Sequence, residues 1–313
     1  MKSREQLQEY FKTDLLPGLQ ELENIRQTQV FRQVFIVVAL AVSITLSLFL
    51  VLPTMLLVFM AIFLIIYFLI FGFKRKRFDI KKSYKESVLR KVNTFLLPEA
   101  DFTHFQFIRQ QLYMESKLFL PEVDIYDGED LLHGKMERIP FQLSKIHTQE
   151  RIVDSDGKVQ LYTLFNGFFF VAELDQITES DTYIFSDTSE RFAKAFFSHF
   201  NNINAVKPEL IKTGSPGFDM HFNCYTTDTA ETAQVISDQL MELILNCLVQ
   251  TKVKPQISII KNRVFIALPE QKEVFSLSMY RSILNFDAIN KYYDYLQFCF
   301  AITNHTQRQP NNA

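Results

Sequence analysis

The densest group of side chains able to hold a cation comprises Asp124, Asp127, Glu129 and Asp130, with His133 just beyond them. Carboxylates at such short spacing can bind Ca²⁺ or Mg²⁺, hard ions that take oxygen ligands. The D-x-[DN]-x-[DN]-G loop is absent, and a solvated acidic turn is the commoner meaning of such a run. Ser144, His147 and Asp154 are the residue types of a hydrolase triad, yet G-x-S-x-G is missing and a chain of 313 residues holds such a set by chance. G-x-x-x-x-G-K-[ST], G-x-G-x-x-G and H-E-x-x-H are also missing. No catalytic residue and no cofactor site is assigned, and the motifs lean against an enzyme. Cys224, Cys247 and Cys299 show neither CxxC nor Cys/His metal spacing, which predicts three buried thiols in a reducing compartment rather than a disulfide framework.

The elements that must position these residues are mixed. FTHFQFIRQQLYMESKLF, 102–119, has the pattern of an amphipathic helix. β-prone alternation runs from Met136 to His147. VQLYTLFNGFFFVAEL, 159–174, predicts two strands around a tight Asn166-Gly167 turn, and Asp156-Gly157 closes an earlier hairpin. In the triplet Phe168, Phe169 and Phe170, neighbours on a strand must face opposite sides. Beyond TGSPGF, 213–218, MHFNCYTTD predicts a strand, and the following helix is capped by Asp228 or Thr229 with Ile236, Leu240, Leu243, Ile244, Cys247 and Leu248 on its apolar side. Two strands around Lys261-Asn262 and a helix burying Ile283, Phe286, Ile289, Tyr293 and Leu296 complete an α+β set, and 304–313 reads as a frayed tail.

Upstream, no charge occurs from Gln33 to Phe73, 41 residues and about twice what one helix needs to cross a bilayer. Pro53 sits at the midpoint, where a missing N–H and a restricted preceding residue favour a reversal. The run therefore predicts a transmembrane hairpin with spans 34–52 and 55–73. Nine Lys or Arg fall within 74–91. Such charge is retained on the cytoplasmic side, so both termini face the cytoplasm. Lys74, Arg75, Lys76, Arg77, Lys81 and Lys82 are the expected contacts with anionic headgroups.

The predicted organisation is an N-terminal juxtamembrane part, 1–33, broken at Pro17; the hairpin, 34–73; a basic helical stalk, 74–97; a cytoplasmic α+β domain, 98–304, divisible into 98–212 and 218–304; and a disordered tail, 305–313. Continuous helices over about 18–52 and 54–97 would form the stalk. Residues 98–313 carry 19 Lys and Arg against 28 Asp and Glu, an acidic balance that phosphate backbones repel, so nucleic acid is not an expected partner.

DIYDGEDLLHG, LFNGFFFVAELD, FNCYTTDTAETAQVISDQLMELI and VFIALPEQKEVFSLS resemble, in that order, the bacterial membrane family known as domain of unknown function 3137, as does YFKTDLLPGLQELENIR before the apolar run. The resemblance implies a two-span bacterial inner-membrane protein without an assigned activity, sometimes encoded near LemA-type membrane proteins, and carries over no catalytic residue. The expected function is a membrane-anchored cytoplasmic protein-interaction module in envelope organisation, with a membrane-protein partner. The alternatives are a membrane-surface enzyme acting on a lipid or small molecule, or a ligand sensor signalling through the stalk.

Overall fold

The computed structural model describes residues 1–49, 62, 65–66, 85, 87–119, 123–153, 156–186, 206–229, 236–270, 274–275 and 282–308, with the backbone alone for 36, 39–40 and 42–49. The chain is a mixed α+β protein in two units: Met1–Leu96 with Phe275–Ala288, and Leu97–Val274 with Ile289–Ala313. Among the described residues no helix is long and apolar enough to cross a membrane. Of the two expected spans, residues 50–61 and most of 63–73 lie outside the described residues, as does most of the basic stretch after them.

In the first unit, α1 (Arg4–Tyr10) starts from a capping box in which Ser3 and Gln6 bond each other's backbone N–H. The sequence predicts a break at Pro17. Instead the chain stays helical through a π-helical segment, Phe11–Leu15, into α2 (Leu16–Phe49). The Leu16 N–H reaches back five residues to the Phe11 carbonyl, and this wider turn makes room for the proline ring without breaking the helix. Leu7, Phe11, Leu15 and Leu19 are buried, as are Val88, Leu89, Val92 and Leu96 on the helical stretch 87–96. Tyr10 stacks on Phe95 at 4.1 Å, and Phe11 meets Phe286 at 5.2 Å.

Among the described residues the second unit is built on one antiparallel sheet of nine strands in the order β1-β2-β3-β4-β9-β8-β5-β7-β6. These are β1 (Asp101–Thr103), β2 (Ile125–Met136), β3 (Ile139–Val153), β4 (Val159–Glu173), β5 (Thr182–Phe185), β6 (Glu209–Ile211), β7 (Asn223–Thr226), β8 (Gln256–Ile260) and β9 (Arg263–Pro269). Because β9 lies between β4 and β8, the sheet takes strands from both sides of 213–218 and is not divided there. That segment is a loop containing the short helix α4 (Pro216–Asp219), whose Asp219 carboxylate accepts a bond from the Thr213 hydroxyl at 2.9 Å.

Two expected elements differ. Residues 102–119 form β1, an extended stretch and only a short helix, α3 (Gln110–Glu115), because Asp101–Thr103 pairs with Leu131–His133 of β2. Sheet pairing overrides the helical pattern there. The second difference is at Asn166-Gly167, which does not turn: β4 runs straight through it. A Cβ on Gly167 would lie 2.1 Å from the Leu268 carbonyl oxygen, so the glycine serves the close approach of β9 rather than a reversal.

The sheet is covered on both sides. Phe169 packs with Tyr113, Phe165 and Phe265 on one face. On the other, Phe168 meets Tyr292 and Tyr295, and Phe170 meets Phe300, all on α6 (Asp287–Arg308). The phenylalanine triplet thus serves two layers, as alternation along a strand requires. Helix α5 (Asp238–Thr251) buries Leu240, Met241, Ile244 and Cys247. Its N-cap is Ser237, whose hydroxyl accepts the Leu240 N–H; Thr229, just after the expected cap Asp228, is also helical, and 230–235 between the two lie outside the described residues. Residues 304–308, expected as frayed tail, still belong to α6, while 309–313 lie outside the described residues.

Candidate functional site

Strand β2 carries Asp127, Glu129 and Asp130, with Asp124 just before it, and a break in its pairing decides which of them meet. Register with β3 shifts between Glu129 and Leu132, with Asp130 held at φ 64°. The bulge turns the Asp130 N–H to the His104 carbonyl at 3.0 Å and the Leu131 N–H to the Gln106 carbonyl at 2.9 Å. This laces the stretch after β1 onto β2. The His104 imidazole then meets the Asp130 carboxylate through Nδ1, with both residues more than nine-tenths buried.

Glu129 completes a trio: one ligand atom each from His104, Glu129 and Asp130 lies within 4.8 Å of the others. The Lys145 ammonium, across the ladder on β3, stands 3.9 Å from the Glu129 carboxylate. The Glu129 side chain is 37% exposed, so the trio is open to solvent on that side.

The remaining candidates go elsewhere. Asp124 accepts the Arg151 N–H at 2.7 Å, and Asp127 accepts the Gly128 N–H at 2.8 Å, so both bind backbone at the far end of β2. His133 lies beyond the bulge, opposite Asp101 and Gln142. Ser144 and His147, three positions apart on β3, fall on opposite faces of the strand, and Ser144 accepts the Ile108 N–H at 3.1 Å. Asp154 lies outside the described residues, as do Lys74, Arg75, Lys76, Arg77, Lys81 and Lys82. His104 was missed because it falls inside the stretch expected to be a helix. It stands 20 to 26 residues before the acidic run, so its residue type alone was the available signal.

A cleft of about 180 Å³ separates α5 from α6, lined among others by Cys247, Gln250, Asp294 and Gln297. Burial pushes the Cys247 thiol up to about 11, so it is protonated at neutral pH and not a ready nucleophile. Cys224 and Cys299 are likewise buried and unpaired, with thiols raised by desolvation.

The outer end of the β3–β4 hairpin has a different character. Among the described residues, Glu150, Arg151, Ile152 and Val153 are in register only with Tyr162, Leu161, Gln160 and Val159 of β4. Among the same residues the pairing of β4 with β9 begins at Gly167, opposite Pro269. Val153, Val159, Leu161 and Tyr162 are exposed on this arm. From Val159 to Ala172 the strand carries no charge.

Residues 163–307 match the family model described as "Protein of unknown function (DUF3137)", which bears out over that stretch the resemblance seen in the sequence. No curated protein matches the chain. Among solved structures, a crystal structure of the mycobacterial trehalose monomycolate transport factor A, TtfA, aligns with 71% of this chain and 96% of its own at 8% identity and a TM-score of 0.36.

Proposed function

We propose, for a chain whose residues 163–307 are a domain of that family, a membrane-anchored cytoplasmic module that acts by binding another protein in the bacterial envelope. The observation that carries this reading is the β3–β4 arm. A strand edge exposed to water is ordinarily blunted by lysine, proline or a covering element. Residues 159–163 of β4 hold no lysine or proline, no element among the described residues covers them, and apolar side chains stand exposed beside the edge. An extended segment of a partner protein can add there as a further strand, with main-chain bonds supplying affinity and Leu161 and Tyr162 supplying contacts.

Anchoring rests on the uncharged run from Gln33 to Phe73, folded as spans 34–52 and 55–73 about Pro53. Phe31, Val34, Phe35, Val37 and Val38 on α2 expose apolar surface to their surroundings, which suits lipid better than water. The basic residues from Lys74 to Lys82 contact anionic headgroups and keep both termini in the cytoplasm. A LemA-type membrane protein is the partner to examine first. The alternatives, a surface enzyme or a stalk-coupled sensor, would draw on the α5–α6 cleft, whose one thiol is held protonated.

The test is co-purification from native membranes of the full chain and of Leu161→Lys. The reading expects a partner retained by the native chain and lost from the variant. A native chain that is consistently partner-free, or a partner held equally by both, overturns it. Reporter fusions at the C-terminus active only outside the cytoplasm would overturn the topology.

A further inference from the structure

We propose that His104, Glu129 and Asp130 bind one divalent transition-metal ion, with zinc the best match to the donors. An imidazole nitrogen and two carboxylate oxygens make a mixed set that suits Zn²⁺ or Mn²⁺, whereas Ca²⁺ and Mg²⁺ favour oxygen alone. The ligand atoms lie within 4.8 Å of one another, a separation that ligands sharing one ion at about 2.0–2.2 Å would reach with small side-chain rotations.

The frame is held by backbone on both sides. The His104 carbonyl is bound by the Asp130 N–H, and the Gln106 carbonyl by the Leu131 N–H, so His104 and Asp130 are presented from two segments tied together at the bulge. His104 and Asp130 form the buried floor, and partly exposed Glu129 forms the rim through which an ion would enter. Three protein ligands leave a coordination position for water, as at open zinc sites.

Lys145, 3.9 Å from Glu129, supplies a local positive charge that the ion would replace. On binding, the imidazole carries its proton on Nε2 and offers Nδ1 to the ion, so the contact between Nδ1 and Asp130 gives way to two bonds to the metal. The lysine swings away from Glu129. Removing its charge therefore strengthens binding, an effect that a purely structural ion pair would not produce.

The experiment uses the full chain in detergent, without a histidine tag and stripped with chelator, titrated calorimetrically with Zn²⁺, Mn²⁺, Ca²⁺ and Mg²⁺. The proposal expects one Zn²⁺ per chain and at least about tenfold weaker binding in His104→Gln and Asp130→Asn. Asparagine keeps the left-handed backbone that position 130 needs. Lys145→Met should bind several-fold more tightly. Circular dichroism establishes that each variant is folded, and a variant that is not is replaced by Glu129→Gln on the rim, which should also weaken binding. No stoichiometric Zn²⁺ binding, binding unchanged in the folded variants, or Lys145→Met binding no better than the native chain would overturn the assignment.

Discussion

Glu23 and Arg26 are one turn apart on α2 and form a buried pair, with the guanidinium Nε donating to the Glu23 carboxylate at 2.8 Å. The same carboxylate accepts from Gln27 at 2.9 Å and from the Ile283 N–H at 3.1 Å. The Arg26 bond is the main cause holding its pKa down at about 2. An unfolded glutamate titrates near 4.3, so this carboxylate contributes stability that is fully present above that pH and is lost as pH falls towards 2. Thermal unfolding of the detergent-solubilised chain should show a decline over that window. Glu23→Gln should remove this component of the pH dependence and, by taking away the carboxylate charge that faces the buried Arg26 guanidinium, cost about 3 kcal/mol at neutral pH.

Gly167 is fixed by an approaching backbone. Gly167→Ala should push the new methyl against the Leu268 carbonyl and the Pro269 Cα, forcing β9 away from β4 and costing about 2–3 kcal/mol. Asn166 contributes through its carbonyl, which accepts the Glu270 N–H at 2.8 Å, so Asn166→Ala should cost under about 1 kcal/mol. A tight turn would predict sensitivity at both positions. Chemical denaturation of the two variants separates the cases.

Local chemistry made some elements legible and tertiary contacts hid others. Asp156-Gly157 does close the β3–β4 connection, with Gly157 at φ 76°, and Lys261 at φ 55° turns β8 into β9. Those signals lie in two adjacent residues. Asn166-Gly167 has the same local form, but its reason lies about a hundred residues away in Leu268. His104 meets Asp130 across 26 residues through a bulge that no periodicity announces. The Pro17 break was plausible by propensity and avoided by a single widened turn. The family stretch was readable because its motifs occur in order, whereas the projecting arm depends on where β9 stops.

The three thiols offer a test of burial. Desolvation pushes Cys224 to about 12 and Cys247 to about 11, and holds Cys299 well above its ordinary value. Thiolate is the reactive form, so a disulfide reagent at pH 8 should modify none of them quickly in the folded chain and all three after denaturation. Rapid labelling of Cys247 before unfolding would show that the α5–α6 cleft admits reagents to its sulfur.

Helix α5 begins where its cap is, and the cap is Ser237. Its hydroxyl accepts the Leu240 N–H at 3.3 Å and lies 2.9 Å from His305 Nε2, so one side chain satisfies the helix start and ties it to α6. Ser237→Ala should therefore cost about 1 kcal/mol for the lost cap, with a further loss from leaving the half-buried His305 ring without this partner. Burial holds the His305 pKa below its ordinary value, so the neutral ring is the folded form near pH 7. Stability linked to it should fall as pH drops below the unfolded histidine value of about 6.5. Chemical denaturation of the native chain and of Ser237→Ala between about pH 5 and pH 7 measures both effects.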